Sequence, residues 1–152
     1  MKYLILLILF MCTYIFSQDA IEAGKESLKQ VDRDFSKLSE QKGMVESFMQ
    51  YAADDAVLLR DYTMPIVGRD AVYKFINEGS NDFTLIWEPL FADISNSLDL
   101  GYTYGTFILT FKDETGTEQK RDSTYLTIWK KDRNGNWKWV LDNGNQGLEP
   151  KK

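Results

Sequence analysis

The stretch Tyr51–Asp70, YAADDAVLLRDYTMPIVGRD, organises the fold that we predict for this chain. It indicates the end of a helix, followed by two short apolar strands at Ala56–Leu59 and Met64–Val67 with a turn between them. The turn contains Asp61 and a proline, and both residue types favour turns through their local backbone preferences. The Gly-Arg-Asp that ends the stretch predicts a short helix over 70–77. We expect the remaining elements to pack around this corner.

The residues before the corner predict a long helix over Asp19–Gln41 and a shorter one over Met44–Tyr51, with a break at Gly43. Glycine suits such a break because it adopts positive φ without a steric penalty. Apolar side chains recur at helical spacing on one face of the long helix: Ile21, Leu28, Val31, Phe35 and Leu38. Charged side chains are predicted to form its solvated face: Glu22, Lys25, Glu26, Lys29 and Asp32.

The second half of the chain is predicted to be β-structure. Apolar segments separated by turn residues predict four strands: Thr84–Asp93, Leu98–Phe111, Glu118–Lys131 and Trp137–Asn143. Gly101 and Gly105 mark positions where the second strand can bend. Three helices followed by a four-stranded antiparallel meander predict an α+β domain. We expect a cone-shaped barrel, in which a strongly bent sheet packs on the long N-terminal helix and two shorter helices. Ligand cavities form in such hollows.

The N-terminal residues predict a secretory signal peptide. Lys2 is the only early charge, Tyr3–Met11 is an unbroken apolar run, and a polar chain begins after Ser17. The alternative is a membrane anchor, but the run is shorter than the roughly 20 apolar residues that a spanning helix needs. Cys12 follows a methionine, whereas a lipoprotein signal would place a small residue there. We therefore expect cleavage after Ser17, no lipid anchor, and a secreted or periplasmic protein.

Composition excludes several kinds of chemistry. The sequence contains no histidine, and its single cysteine lies in the predicted signal peptide. The commonest general base and the commonest ligands of zinc, haem and iron–sulfur clusters are therefore missing, so we predict no metal and no cofactor. The net charge is −5 and no basic cluster is present, which argues against a nucleic-acid partner. The predicted domain covers 18–145, with a flexible tail over 146–152.

Five segments in this order resemble the nuclear transport factor 2-like superfamily, most closely its SnoaL-like branch. They are YAADDAVLL…PIVGRDAVYKFI in the corner, LIWEP at Leu85–Pro89, DLGYTYGTF at Asp99–Phe107, YLTIWKKDRNGNWKWV at Tyr125–Val140 and LDNGN at Leu141–Asn145. The resemblance implies a cone-shaped α+β barrel, often a homodimer, with a cavity between the first helix and the sheet. It implies no single activity, because members include isomerases, dehydratases, cyclases and non-catalytic binding or assembly domains.

The catalytic residues of that superfamily are not reproduced. Its steroid isomerases place a general-base aspartate just after the strand that follows the paired acids, and this sequence has Arg60 there with Asp61 beside it. Those isomerases also use a tyrosine on the first helix, where this chain has Phe35-Ser36. The dehydratases of the superfamily use histidine, which is absent. Among the candidate catalytic residues, only Asp61 is left as a base.

Two interpretations stay open for the polar residues of the corner. Asp54 and Asp55 could act as a carboxylate pair, but aspartate in such corners usually accepts hydrogen bonds from backbone amides. Arg60 could hold an anionic ligand while Asp61 takes a proton, or the two could form a local ion pair in an exposed turn.

Aromatic residues on the predicted strands are the remaining candidates, since tyrosine and tryptophan combine an apolar ring with a polar tip. Alternation alone does not say which face of each strand is concave. Trp87 is expected either at the rim or in the core, and Asp142 is expected to point away from the cavity unless a bulge intervenes. The candidate ligand-binding residues are Arg60, Trp87, Tyr102, Tyr104, Tyr125, Trp139 and Asn143.

The sequence supports three hypotheses from different functional classes. The first is a domain that binds a small, largely apolar molecule in its cone. The second is an isomerase- or cyclase-type enzyme that uses Asp61 as the base with tyrosine donors. The third is a non-catalytic assembly module that forms a homodimer through its sheet.

Overall fold

The computed structural model describes residues 2–79 and 82–146, with side chains from residue 18 onward. The predicted cleavage point at Ser17 falls where no side chain is described, and the predicted tail lies outside the described residues apart from Gln146. The elements in chain order are α1 Lys2–Tyr51, β1 Ala52–Leu59, β2 Ile66–Val67, α2 Arg69–Glu78, β3 Phe83–Ile94, β4 Leu100–Lys112, β5 Glu118–Lys131 and β6 Trp137–Gly144. In the described residues, no helix reaches the length and apolar character of a membrane span.

The break predicted at Gly43 is confirmed. Gly43 has φ 81° and ψ 173°, so α1 consists of two helical segments on either side of one non-helical residue. A residue with a Cβ would be strained at that φ, which explains the glycine. The Ser47 hydroxyl donates to the Gly43 carbonyl at 2.8 Å and so links the second segment to the break.

The six strands form one mixed sheet in the order β2-β1-β6-β5-β4-β3. The predicted antiparallel meander is present as β3 to β6, and β5 has the bounds that we predicted. One feature differs from the prediction, because the corner strand β1 joins the sheet parallel to β6. The sheet is not closed, since β2 and β3 are its edges. The fold is the predicted α+β cone, with one parallel strand pair in its bent sheet.

Aromatic side chains fill the core between α1 and the sheet. Phe35 lies at the centre, with ring centroids 4.6 Å from Trp87, 4.9 Å from Phe48 and 6.0 Å from Trp129. These pairs are edge-to-face, the arrangement that the ring quadrupole favours, and each contributes about 0.5–1.5 kcal/mol beyond area burial. The cluster fixes α1 against the strands that carry the site described below.

A bulge at Leu90 shapes β3 opposite Gly105. The register of β3 against β4 shifts between Pro89, which pairs with Gly105, and Phe91, which pairs with Tyr104. A Cβ added at Gly105 would lie 2.0 Å from the Glu88 carbonyl oxygen. Only glycine therefore permits this approach of the two strands, and its position agrees with the predicted bend.

Candidate functional site

A cavity of about 240 Å³ lies between α1 and the inner face of the sheet. Met44 and Phe48 of α1 form one wall, and β3 to β6 form the other. Most of its surface is apolar, and the apolar side chains that line it are Met44, Phe48, Phe83, Leu85, Trp87, Phe107 and Leu109. The polar and remaining lining residues are Arg60, Asp61, Arg121, Tyr125, Thr127, Asp142, Gly144, Asn145 and Gln146.

A bulge in β6 turns Asp142 into this cavity. Trp139 pairs with Trp129 and Leu141 pairs with Ile128, so Val140 is the extra residue. One extra residue moves every following side chain to the other face of a strand. Asp142 was expected to point away from the cavity unless a bulge intervenes, and the bulge is present, so Asp142 points into the cavity.

Asp142 is buried and has both carboxylate oxygens occupied. Thr127 Oγ1 donates to Oδ2 at 2.8 Å, and Arg60 Nη2 donates to Oδ1 at 3.1 Å. Arg60 Nη1 also donates to the Leu59 carbonyl at 2.7 Å, so the guanidinium is fixed at the end of β1. The side chains of Arg60 and Asp142 are 22% and 9% exposed, so the ion pair is largely shielded from solvent. The partner of Arg60 is thus Asp142 and not the neighbouring Asp61.

A second buried carboxylate, Asp32, lies on α1 behind the cavity wall. We predicted Asp32 on the solvated face, and the structure contradicts this, because its exposed fraction is 0%. Trp87 Nε1 donates to Oδ1 at 2.7 Å, and the Tyr125 hydroxyl donates to Oδ2 at 2.7 Å. No ion pair joins Asp32 to a cation among residues 18–79 and 82–146. The carboxylate is therefore held by neutral donors only.

Burial and these contacts shift the pKa values of Asp32 and Tyr125. Burial raises the pKa of Asp32 from 3.8 to about 6, and hydrogen bonds from Tyr125, Trp87 and Thr103 oppose part of that rise. Burial and the adjacent Asp32 carboxylate raise the pKa of Tyr125 far above its usual range. Tyr125 therefore stays protonated and donates its hydrogen to Asp32 rather than into the cavity.

The spacing of the buried residues on α1 would have predicted that Asp32 is buried. Leu28, Asp32, Phe35 and Ser39 are separated by four, three and four residues, and all four are buried. That spacing places them on one face of a helix. Asp32 was assigned to the other face because of its charge, although its position indicated burial.

The structure brings some of the predicted site residues together and separates others. Arg60, Asp61, Trp87 and Tyr125 line the cavity, with Asp61 on an exposed turn. Tyr102 and Tyr104 lie on the outer face of the sheet, where the Tyr104 ring stacks on Phe91 at 5.2 Å.

The two predicted residues of β6 do not line the cavity either. Trp139 is fully buried in the core, where its indole N–H donates to the Phe48 carbonyl at 3.1 Å. Asn143 pairs with Leu126 and stands on the outer side of β6, because the bulge at Val140 reverses the expected alternation.

The site offers polar contacts and an apolar enclosure, but few reactive groups. No cluster of three histidine, cysteine, aspartate or glutamate side chains that could hold a metal ion occurs in the described part of the chain. Thr127 and Tyr125 already donate to buried carboxylates, and both oxygens of Asp142 accept hydrogen bonds. Of the two carboxylates that line the cavity in the described part of the chain, Asp142 is hydrogen-bonded and ion-paired, whereas Asp61 forms neither contact.

No protein-family model matches this sequence, and no curated protein matches it. Solved structures show similarity of fold. A ketosteroid isomerase-like protein from Erwinia carotovora atroseptica has a TM-score of 0.67 at 14% identity, over 82% of this chain and 96% of that one. A nuclear transport factor 2-like protein from Novosphingobium aromaticivorans has a TM-score of 0.65 at 15% identity, over 80% of both chains.

The association domain of C. elegans CaMKII is also similar, with a TM-score of 0.62 at 17% identity, over 84% of this chain and 99% of that one. These likenesses establish that the chain has the nuclear transport factor 2-like fold, as its sequence segments implied. The three proteins are named for different functions, so the fold alone does not select an activity.

Proposed function

We propose that this chain binds a small, largely apolar molecule in the cavity between α1 and the sheet. The observation that carries the proposal is an apolar lining around a space of about 240 Å³ between α1 and the sheet. This volume is just below the roughly 300–1,000 Å³ of typical small-molecule sites. We therefore expect a ligand of two or three rings, or a short aliphatic chain.

Each side of the cavity has a distinct role in this proposal. Trp87 and Tyr125 present their rings to the ligand, because their polar tips are turned to Asp32. Phe48 and Leu85 close the space from the helix and from β3. Arg60 closes the side next to β1. Binding then depends mainly on burial of apolar surface, at about 25 cal/mol per Å².

N-phenyl-1-naphthylamine, a neutral probe that fluoresces in apolar surroundings, tests the proposal. We expect saturable binding with one site per chain. Leu85→Trp fills the cavity and should abolish binding, whereas Ile86→Trp on the other face of β3 should preserve it. Absence of saturable binding by the wild-type chain would overturn the proposal, as would equal binding by the two variants.

The outer face of the sheet favours a second role, self-association into a homodimer or larger assembly. Large apolar side chains are exposed there on β3, β4 and β5: Leu90, Phe91, Leu100, Tyr102, Tyr104, Ile108 and Leu126. A contiguous apolar patch of this kind is typical of a protein–protein interface. Similar solved structures include association and hub domains of CaMKII, whose names indicate assembly.

Sedimentation velocity tests self-association. Tyr104→Lys places a charge in the centre of the patch, and we expect it to shift the chain from dimer to monomer. Tyr73→Lys, at an exposed tyrosine on α2, is the matched control and should remain dimeric. A wild-type chain that stays monomeric at high concentration would refute this role.

The catalytic hypothesis with Asp61 as base receives less support from the geometry. Asp61 is exposed at the cavity mouth, and the tyrosine nearest to the cavity, Tyr125, donates to Asp32.

The predicted location is also part of our proposal: we expect a secreted or periplasmic chain whose mature form begins at Gln18. Intact mass and N-terminal sequencing of the exported protein test this, and a chain that retains Met1 after export would contradict it.

A further inference from the structure

The polar groups deep in the cavity are already paired with one another. Trp87 and Tyr125 donate to Asp32, and Thr127 and Arg60 donate to Asp142. A ligand that reaches this depth therefore finds ring faces and aliphatic carbons rather than free donors. A polar group buried there without a partner would cost about 1–3 kcal/mol. The inner end of the ligand is consequently apolar.

Arg121 is the exception among the lining cations. Arg60 is neutralised by Asp142, but Arg121 forms no ion pair with any residue in 18–79 or 82–146. Its guanidinium carbon lies 5.5 Å from the centroid of the Phe111 ring, which supports the side chain and leaves its N–H groups free. Arginine carries five such donors in a planar fork that matches a carboxylate or a sulfonate.

The register of β5 places Arg121 at the outer end of the cavity. Thr127, Tyr125 and Arg121 share the inner face of the strand, since side chains alternate along it. Thr127 lies six positions after Arg121 along β5, which corresponds to about 20 Å at roughly 3.4 Å per residue. Arg121 pairs with Leu109 of β4, another cavity-lining residue. The apolar lining therefore extends from the buried polar pairs to a single unpaired cation.

The carboxylates of the cavity do not provide an equivalent site for a cationic ligand. Asp142 is bonded through both oxygens, and Asp32 is fully buried behind Trp87 and Tyr125. Asp61 lies on the exposed turn after β1, outside any strand, and lacks the aromatic support that Phe111 gives Arg121.

We infer that the ligand is an apolar acid, which inserts its apolar end between α1 and β3 and leaves its carboxylate or sulfonate at the mouth against Arg121. This inference rests on the proposed function, because it names the chemical class that the same cavity would select. Free acids of an aryl or short fatty type satisfy both the apolar interior and the cation at the mouth. The ligand would bind in one orientation only, with its charge outward.

A matched pair of probes tests the inference. 8-Anilinonaphthalene-1-sulfonate and N-phenyl-1-naphthylamine share one apolar skeleton, and only the former carries an anionic group. We expect the sulfonate to bind the wild-type chain about fivefold more tightly, an effect appropriate to an exposed charge-assisted contact. Arg121→Gln should remove this preference, so that the two probes bind this variant with equal affinity. Lys120→Gln, the same charge change on the outer face of β5, should retain the preference.

The results of these binding measurements distinguish failure of the inferred acid selectivity from failure of the proposed ligand binding. If the neutral probe binds but the sulfonate binds no more tightly, or if Arg121→Gln behaves as Lys120→Gln does, the cavity binds ligands without selecting acids and the inference is overturned. If neither probe binds the wild-type chain, the proposed function fails and the inference fails with it. A urea unfolding midpoint equal to that of the wild-type chain shows that Arg121→Gln is folded.

Discussion

Replacement of Asp32 by asparagine should change the pH dependence of stability in a defined direction. Asparagine cannot ionise, but its oxygen can accept from Trp87 and its amide can donate to the Tyr125 hydroxyl. The variant therefore resembles the wild-type chain with Asp32 protonated. A difference between the two chains then reports the cost of keeping an ionised carboxylate among neutral donors, since other groups titrate alike in both.

The sign and size follow from the raised pKa. The pKa of Asp32 is about 6 in the folded chain, against an ordinary value of 3.8, because burial disfavours the charged form. A raised folded-state pKa contributes stability that is fully present below pH 3.8 and is lost as the pH rises through 6. About two pKa units at 1.36 kcal/mol each correspond to about 3 kcal/mol. Relative to Asp32→Asn, the wild-type chain should therefore lose about 3 kcal/mol between pH 3.5 and pH 7.5.

Urea unfolding followed by tryptophan fluorescence measures this difference at each pH, because three indoles are buried in the core and the fourth, that of Trp87, packs against it. Asp34→Asn, an exposed position on the same helix, is the control and should show no comparable trend. A difference between wild type and Asp32→Asn that stays constant within about 0.5 kcal/mol over this range would refute the reasoning. So would a difference that grows in favour of the wild-type chain as the pH rises.

Two further substitutions test the elements that shape the cavity. Gly105→Ala should lower the free energy of unfolding by about 2–3 kcal/mol, because the added Cβ meets the Glu88 carbonyl oxygen at 2.0 Å. Gly79→Ala is the control and should change the free energy of unfolding by less than about 0.5 kcal/mol, since the nearest atom to its added Cβ would be 3.4 Å away. Equal effects of the two variants in urea titrations would contradict this account. Thr127→Val should cost about 1–2 kcal/mol, because it removes the donor to Asp142 Oδ2, whereas Thr127→Ser should restore most of the loss. A valine variant as stable as the serine variant would show that this hydrogen bond does not contribute to the free energy of unfolding.

Local signals were sufficient to predict most of the secondary structure. The turn between β5 and β6 contains Asn134-Gly135, a pair typical of hairpins, and Gly135 has φ 82°, which glycine adopts without strain. Turn residues on both sides delimited β5 correctly, and Gly43 located the break in α1. These features depend on backbone conformation within a few residues, which composition and spacing report directly.

Long-range features could not be predicted in the same way. The parallel pairing of β1 with β6 joins residues more than 80 positions apart, and no local pattern records it. The bulge at Val140 changed which face carries Asp142 and Asn143, because alternation is reliable only along an unbroken strand. Tyr102 and Tyr104 were candidates for the cavity and lie on the outer face, since an amphipathic ring suits an interface as well as a pocket.

The most direct test of the central claim is a crystal structure of the chain with N-phenyl-1-naphthylamine bound. We predict the probe between Phe48 and Leu85, with the rings of Trp87 and Tyr125 in contact with it and their polar hydrogens still donated to Asp32. A probe found only on the outer face of the sheet, or a cavity closed by its own side chains with no probe inside, would contradict the account.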